Sequence, residues 1–469
     1  MELNSNFRPV LQKTLKHALD YLENINGAPV NSTVSYEELR SRLARPLAET
    51  GQSAEQIIDD LAADTAGGII GSTGGRFYGW VVGGVLPASL AADWMTSTWD
   101  QNAALYASGP AEAVVEEVCG EWLKDLLGLP VSASFALVTG CQMAHATCLA
   151  SARNAVLAKF GWDVERKGLT GAPPIRVLSG NQRHGSTERA LRLLGLGTDC
   201  ALALPVDEQV RLQPETLARA LSENSGVPTI VMLQAGDLHT GAYDPFNDLI
   251  PLAHQHGAWV HVDGAFGLWA SASPRYRYLL EGAGQADSWA TDGHKWLNVP
   301  YDCGYAFVAD RRAHQASMSH RAGYLPNADT ARDQMDWNPE WSRRGRGFAT
   351  YAAIRQLGRS GIAEMVEDCC RHAHEIVTQI GALPGAEMLW EPIINQGLLR
   401  FPDPRPGASA ADHDRRTDEV IAAIQKDGDA FFAGSTWRGM RVMRVSVSGW
   451  QTKDSDVETT VAAVRRVLG

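Results

Sequence analysis

The chain has 469 residues, 45% hydrophobic and 20% charged, which excludes disorder and supports a sizeable core. Lys plus Arg number 42 and Asp plus Glu 54, a net charge of −12 that repels phosphate backbones and argues against a nucleic-acid role. At about 150 residues per domain the length suggests roughly three domains.

No run of about 18 apolar residues predicts a membrane span. The opening MELNSNFRPV lacks a basic start followed by an apolar stretch, so no secretory signal and a cytoplasmic location are expected. Seven cysteines at irregular spacing, with no C-x-x-C, read as reduced and mostly buried thiols. His254 with His256, and His372 with His374, stand two apart, which on a helix points them to different faces. No metal site is predicted from that spacing.

In chain order, an amphipathic helix carries Val10, Leu11, Leu15, Leu19 and Leu22, and a second runs near Ala54 to Ala63. The stretch from Gly67 to Pro87 is too rich in glycine for regular structure and reads as irregular backbone lining something. From about residue 110 apolar strands alternate with helices. Strands are expected at Phe135–Thr139, Arg176–Leu178, Ala201–Pro205, Thr229–Leu233, Trp259–Val262, Asp287–Ala290 and Tyr305–Val308. Helices begin near Gln142, Ser186 and Pro214, and one from Pro245 to His256 stops at Gly257. Continuous apolar strands separated by helices indicate a mostly parallel α/β sheet covered on both faces. After about residue 345 come a helical stretch from Ala349 through Ile380, strands at Gly397–Phe401 and Met440–Val447, and a last helix opened by a Ser455-x-x-Glu458 capping box. These predict a smaller α+β domain. The expected boundaries are 1–109 for a helical and irregular N-terminal segment, 110–345 for the large domain and 346–469 for the small one.

In an open parallel sheet the active site lies at the carboxyl ends of the strands. Three strand ends here carry His184, Asp263 and Lys295. A lysine can form a Schiff base with pyridoxal phosphate, an aspartate can hold its pyridine nitrogen protonated, and an aromatic side chain can stack on its ring. Thr139-Gly140-Cys141-Gln142 is a strand-to-helix turn suited to a phosphate.

The stretch DGHKWLNVPYDCGYAFV (Asp292–Val308) resembles the group II pyridoxal-phosphate decarboxylases, which include the aromatic amino acid and glutamate decarboxylases. HVDGAFG (His261–Gly267) is similar to their cofactor-aspartate strand, and HGSTERA (His184–Ala190) to their stacking-histidine segment. The intervals of 111 residues from His184 to Lys295 and 32 from Asp263 to Lys295 agree with the aromatic decarboxylases. The resemblance spans residues 65–365.

That resemblance implies the aspartate-aminotransferase-like type I fold, pyridoxal 5′-phosphate as cofactor and a homodimer formed through the N-terminal segment. It implies a Schiff base at Lys295, Asp263 at the pyridine nitrogen, Ala265 against the ring and His184 stacked over it. Gly140, Cys141, Gln142 and His294 would surround the phosphate. Tyr324, 29 residues after Lys295 in HRAGYLPNADT, matches the loop tyrosine that protonates the quinonoid carbanion left by CO2 loss. Phenylalanine at that position accompanies oxidation to an aldehyde, so tyrosine implies decarboxylation of an L-amino acid, aromatic favoured, to amine and CO2. The alternatives are a carbon–carbon lyase acting on a β-hydroxy amino acid and a decarboxylating aldehyde synthase.

The chain departs from the family at Cys141-Gln142-Met143, where relatives carry small or hydroxyl residues and then Glu, and at Asp292, where aromatic decarboxylases carry Asn. An aspartate beside a phosphate is unfavourable unless protonated or turned away. Trp80, in RFYGWVVGG, replaces a bulky aromatic-then-Pro pattern and is the candidate substrate contact. Arg343, Arg344 and Arg346 in WSRRGRG read either as salt bridges or as an anion site.

Overall fold

The computed structural model describes residues 6–223, 225–320 and 331–469. Seven strands form the large sheet: β1 Ser134–Val138, β2 Arg176–Gly180, β3 Ala201–Leu204, β4 Thr229–Gln234, β5 Trp259–Asp263, β6 Ser288–Asp292 and β7 Gly304–Val308. Their spatial order is β1-β7-β6-β5-β4-β2-β3. All seven fall where the apolar runs place them. Only β7 runs against its neighbours. Parallel strands need a crossover of a dozen or more residues. The connection from β6 to β7 is too short for one, so β7 returns antiparallel and its loop, which carries Lys295, stays at the carboxyl end of β6.

The core is aromatic beneath that loop. Trp269, Trp289, Trp296, Tyr305 and Phe307 are fully buried. The Trp269 indole donates to the carbonyl of Asp292 at 2.9 Å, which anchors the end of β6.

A second, antiparallel sheet orders β10-β11-β9-β8, with β8 Glu387–Trp390, β9 Gln396–Arg400, β10 Ala433–Trp437 and β11 Met440–Ser446. β8 and β10 escape the sequence reading. Both lie on the sheet's edges: β8 is only four residues long and exposed or half-buried throughout, and β10 breaks its apolar pattern with Gly, Ser and Thr. The long helix Gly347–Gly381 breaks at Gly358, which takes φ +62°. The last helix, Asp454–Leu468, starts one residue earlier than expected. Its cap is the Asp456 carboxylate accepting from the Lys453 amide at 3.0 Å, and Ser455 lies inside the first turn, so the predicted Ser455–Glu458 box does not form.

The glycine-rich stretch is irregular, as its composition demands. It pairs with the small sheet through Phe77 and Phe431, then crosses to the lysine loop. A Cβ on Gly83 would lie 1.8 Å from the Lys295 carbonyl oxygen. Glycine there is a requirement of close approach between two backbones. All seven cysteines are free thiols, six of them buried. Among the described residues no helix is long and apolar enough to cross a membrane.

Candidate active site

A cavity of about 560 Å³ opens at the carboxyl ends of the strands, within the range of cofactor and ligand sites. Gly140, Cys141, Gln142, His184, Asp263, Ala265, His294 and Lys295 all line it, and so does Trp80. Sequence separations of more than a hundred residues thus close onto one crevice. Tyr324 lies outside the described residues.

Asp263 ends β5 at the cavity floor and is buried. Burial alone would raise its carboxyl. His145, the Ala265 amide, Lys295 and His184 outweigh that and hold it below its ordinary value, so it is an anion at neutral pH. The Ala265 amide donates to Asp263 Oδ1 at 3.1 Å.

Lys295 presents its amine 2.9 Å from Asp292 Oδ2. Burial would push the ammonium down. Asp292, with Cys141 and Asp263, outweighs burial and holds it above its ordinary value. The other oxygen of Asp292 accepts the Cys141 amide at the start of the helix Cys141–Ala158. Asp292 is therefore neither turned away nor idle. It is the anion that the helix N-terminus already holds. His294 stands 3.5 Å from the same oxygen, accepts the Cys303 amide through Nδ1 and stacks on Tyr301.

His184 caps the helix Gly185–Leu193, accepting the Ser186 amide on Nδ1 at 3.2 Å. Desolvation lowers its imidazole below the ordinary value against the pull of Asp263, so it is neutral at pH 7. Trp80 takes φ +50°, a strained conformation for a bulky residue, and its half-exposed ring leans on Phe77 and Phe431.

The sequence reading missed three groups. Arg444, on β11 of the small sheet, reaches the cavity and donates to the Trp80 carbonyl at 3.3 Å. Burial pushes its guanidinium down to about 10, which leaves it charged at neutral pH, and its Nε has no partner. No sequence signal ties β11 to this cavity. Tyr301 lines the wall beside His294. His145, four residues past Cys141 and therefore on the same helix face, stands 3.4 Å from Cys141 Sγ and 3.5 Å from Asp263 Oδ2. That i, i+4 spacing was the available signal. Cys141, His145 and Asp263 thus bring ligand atoms within 4.8 Å of one another, a grouping the histidine spacings did not foretell. Burial holds the Cys141 thiol well above its ordinary value.

The arginine run resolves as ion pairs. Arg343 meets buried Glu116 at 2.6 Å, Arg344 meets Asp93 at 2.7 Å and Arg346 meets Asp302 at 3.0 Å. With every guanidinium on a carboxylate, the anion-site reading of WSRRGRG falls.

The model of the pyridoxal-dependent decarboxylase conserved domain matches residues 37–400. An aromatic-L-amino-acid decarboxylase of Bacillus atrophaeus is 26% identical over 392 residues, 82% of this chain and 78% of that one. A phenylacetaldehyde synthase of Petunia hybrida is 25% identical over 376 residues, 76% of this chain and 73% of that one. The crystal structure of Oryza sativa TDC with PLP and tryptamine superposes with a TM-score of 0.92 at 22% identity, covering 100% of this chain and 99% of that chain. The fold is the type I fold. The site suits the cofactor's ring: an ionised Asp263 at the floor, an amine at Lys295, and backbones packed so closely that a Cβ on Gly304 would fall 2.5 Å from Gly140. At the phosphate end the carboxylate of Asp292 stands on the amide that an anion would use. The chain belongs to the pyridoxal-dependent decarboxylase family and is a carboxy-lyase whose cofactor is pyridoxal 5′-phosphate.

Proposed function

We propose that this enzyme decarboxylates an L-amino acid with an uncharged, preferably aromatic, side chain to the amine and CO2. The observation that carries the reading is the cavity's charge. Among its described lining residues, Lys295 and Arg444 are the only Lys or Arg. With Lys295 committed to the cofactor, one cation remains for one carboxylate. The other walls include Trp80, Val81, Val82, Met143, Leu238 and Phe266, which suit an apolar group.

Bound pyridoxal phosphate supplies an electron sink for the charge left at Cα when CO2 departs. Lys295 would hold the cofactor through its amine. Asp263 keeps a proton on the ring nitrogen. Ala265 and His184 would contact the ring, and Gly140, Cys141, Gln142 and His294 would surround the phosphate. Arg444 grips the carboxylate and turns Cα toward the ring, while Trp80 contacts the side chain. Each turnover takes up one proton at Cα, and the Tyr324 phenol is the acid that delivers it.

A homodimer belongs to the same reading. Phe7, Leu11, Leu15 and Leu19 line one exposed face of the helix Phe7–Asn24, an apolar stripe for a second copy. Light scattering should find a particle of twice 50.8 kDa.

The test is a product screen of the loaded enzyme on the common L-amino acids, phenylserine and threonine, reading amine, aldehyde, CO2 and O2. Amine and CO2 in equal amounts from an aromatic amino acid, without O2 use, is the expected result. Turnover of acidic amino acids alone would overturn the substrate class. Aldehyde with CO2 and O2 use would make the enzyme an aldehyde synthase, and aldehyde with glycine but no CO2 would make it a lyase. Tyr324→Phe should slow amine release or divert product to aldehyde; an unchanged product and rate would remove Tyr324 from the mechanism.

A further inference from the structure

Behind Asp263 lies a row of buried polar groups that the reaction as proposed does not use. Trp259, His261 and Asp263 are alternate residues of β5, so their side chains share one face of the sheet. The helix Cys141–Ala158 covers that face and supplies His145. Ser288 is the β6 partner of His261 in the register. His145, His261 and Ser288 are fully buried.

The links are short. The Trp259 indole nitrogen lies 2.9 Å from Ser288 Oγ. Ser288 Oγ lies 2.9 Å from His261 Nδ1. His261 Nε2 lies 2.9 Å from His145 Nδ1. His145 Nε2 then faces Asp263 Oδ2 at 3.5 Å, with Cys141 Sγ at 3.4 Å to one side.

The two ends fix the direction. An indole N–H only donates, and an ionised carboxylate only accepts. A neutral imidazole carries one donor and one acceptor. His261 is neutral, since burial beside His145 drives its imidazole down to about 3. The hydrogen between the two rings must therefore come from one of them. If a neutral His145 gave it, the lone pair on its Nε2 would face the Asp263 anion at 3.5 Å, with only the weak S–H donor of Cys141 to share it. If His261 gives it, every donor in the row points toward Asp263.

We infer that Trp259, Ser288, His261 and His145 form one polarised line of hydrogen bonds that ends by offering the His145 Nε2–H to the far oxygen of Asp263. His145 and His261 are thus positioning residues. Ser288 O–H donates to His261 Nδ1, and His261 Nε2–H donates to His145 Nδ1. A carboxylate that already accepts a hydrogen bond is a weaker base. A proton shared between Asp263 and the cofactor's ring nitrogen then resides on the nitrogen, where it is needed for the ring to accept charge. The inference rests on the proposed role of Asp263.

The first test needs no cofactor. Long-range proton–nitrogen NMR of the unloaded enzyme, labelled with 15N-histidine, should show His145 and His261 as Nε2–H tautomers, assigned with His145→Gln and His261→Gln. A Nδ1–H tautomer at His145 would overturn the line's direction. The second test loads 15N-pyridoxal phosphate and reads the ring-nitrogen shift and the cofactor's Kd. The wild type should show a protonated nitrogen. His145→Leu and His261→Phe should move it toward the unprotonated value and weaken binding about tenfold, the loss of roughly one charge-assisted hydrogen bond. His145→Gln, which keeps an N–H facing Asp263, should restore both. An altered nitrogen signal in Asp263→Asn with none in the histidine variants would sink the line and leave the Asp263 assignment standing. No change in Asp263→Asn would sink that assignment itself. Should both apolar variants fail to fold, the tautomers of the wild-type enzyme decide the matter.

Discussion

Lys295 Nζ lies 2.9 Å from Asp292 Oδ2, and the same carboxylate accepts the first amide of the helix that would receive the phosphate. One side chain thus holds both the amine and the helix N-terminus proposed to receive the cofactor. A lysine must lose its proton before it can attack an aldehyde, and Asp292 holds the ammonium above its ordinary value near 10.5. Asp292→Asn removes that pull and the like charge beside the phosphate. The unloaded Asn variant should capture pyridoxal phosphate faster, about tenfold for each unit by which the lysine falls. Its loading rate should also begin to rise at lower pH, because the neutral amine appears earlier on raising the pH. Stopped-flow absorbance across pH 6 to 9 measures this. Equal or slower capture would mean that Asp292 assists loading.

Gly83 is the second point where the lysine loop is pinned. A Cβ there would meet the Lys295 carbonyl oxygen at 1.8 Å and the His294 carbonyl oxygen at 3.0 Å, both backbone atoms that no rotamer change can move. Gly83→Ala should displace the loop, cost about 1–3 kcal/mol of stability by overpacking, and lower the cofactor trapped on Lys295 by borohydride. Gly27→Ala, whose Cβ meets only the Asn24 carbonyl oxygen at 3.6 Å, is the control. Mass spectrometry of the reduced protein and a urea titration read the two effects. Normal trapping in Gly83→Ala would show that the loop tolerates displacement.

The large sheet was legible because each of its strands is an apolar run bounded by turn residues, and a buried strand must be so. That Asp263 and Lys295 stand at strand ends on one cavity was legible for the same reason: position after a strand is a one-dimensional property. What stayed hidden is contact between elements far apart in sequence. Arg444 enters from the small sheet, and nothing in its local sequence marks it as different from Arg441, which pairs with Asp418 on the surface. The fate of WSRRGRG likewise depended on carboxylates at Glu116, Asp93 and Asp302, which only folding brings near. Asp292 was seen as an anomaly, but its partners could be read only in three dimensions.

The proposed substrate class rests on Arg444. Its guanidinium is buried, its Nε is unpartnered, and it donates to the Trp80 carbonyl at 3.3 Å. Arg444→Met should raise KM for an aromatic amino acid about 10–100-fold, the worth of one charge-assisted pair in a shielded site. The corresponding amine product, which lacks the carboxylate, should inhibit both enzymes equally. Arg444→Lys should recover only part of the loss, since an ammonium cannot reproduce the guanidinium's paired donors. An unchanged KM with reduced kcat would place Arg444 on the reaction's charge and not on the substrate's.

Acid should destabilise the protein through two buried histidines. His261 and His314 are both driven down to about 3 from 6.5, chiefly by burial. His314 bonds Ser134 Oγ at 2.8 Å and the Trp337 carbonyl at 2.9 Å, so it is held neutral in place. A folded histidine that refuses a proton its unfolded form accepts leaves stability intact above pH 6.5 and removes it as the pH falls toward 3. Each group contributes about 1.4 kcal/mol per pH unit across that window, so the pair costs roughly 3 kcal/mol per unit. Asp263 acts in a separate range, because its lowered carboxyl gives up stability only below its ordinary value of 3.8. Urea midpoints at pH 7.5 and 5.0 measure the slope. His314→Gln keeps a donor for the Trp337 carbonyl but cannot titrate, and it should shrink the drop between the two pH values. A slope unchanged by His314→Gln would show that His314 keeps its ordinary proton affinity in the folded protein.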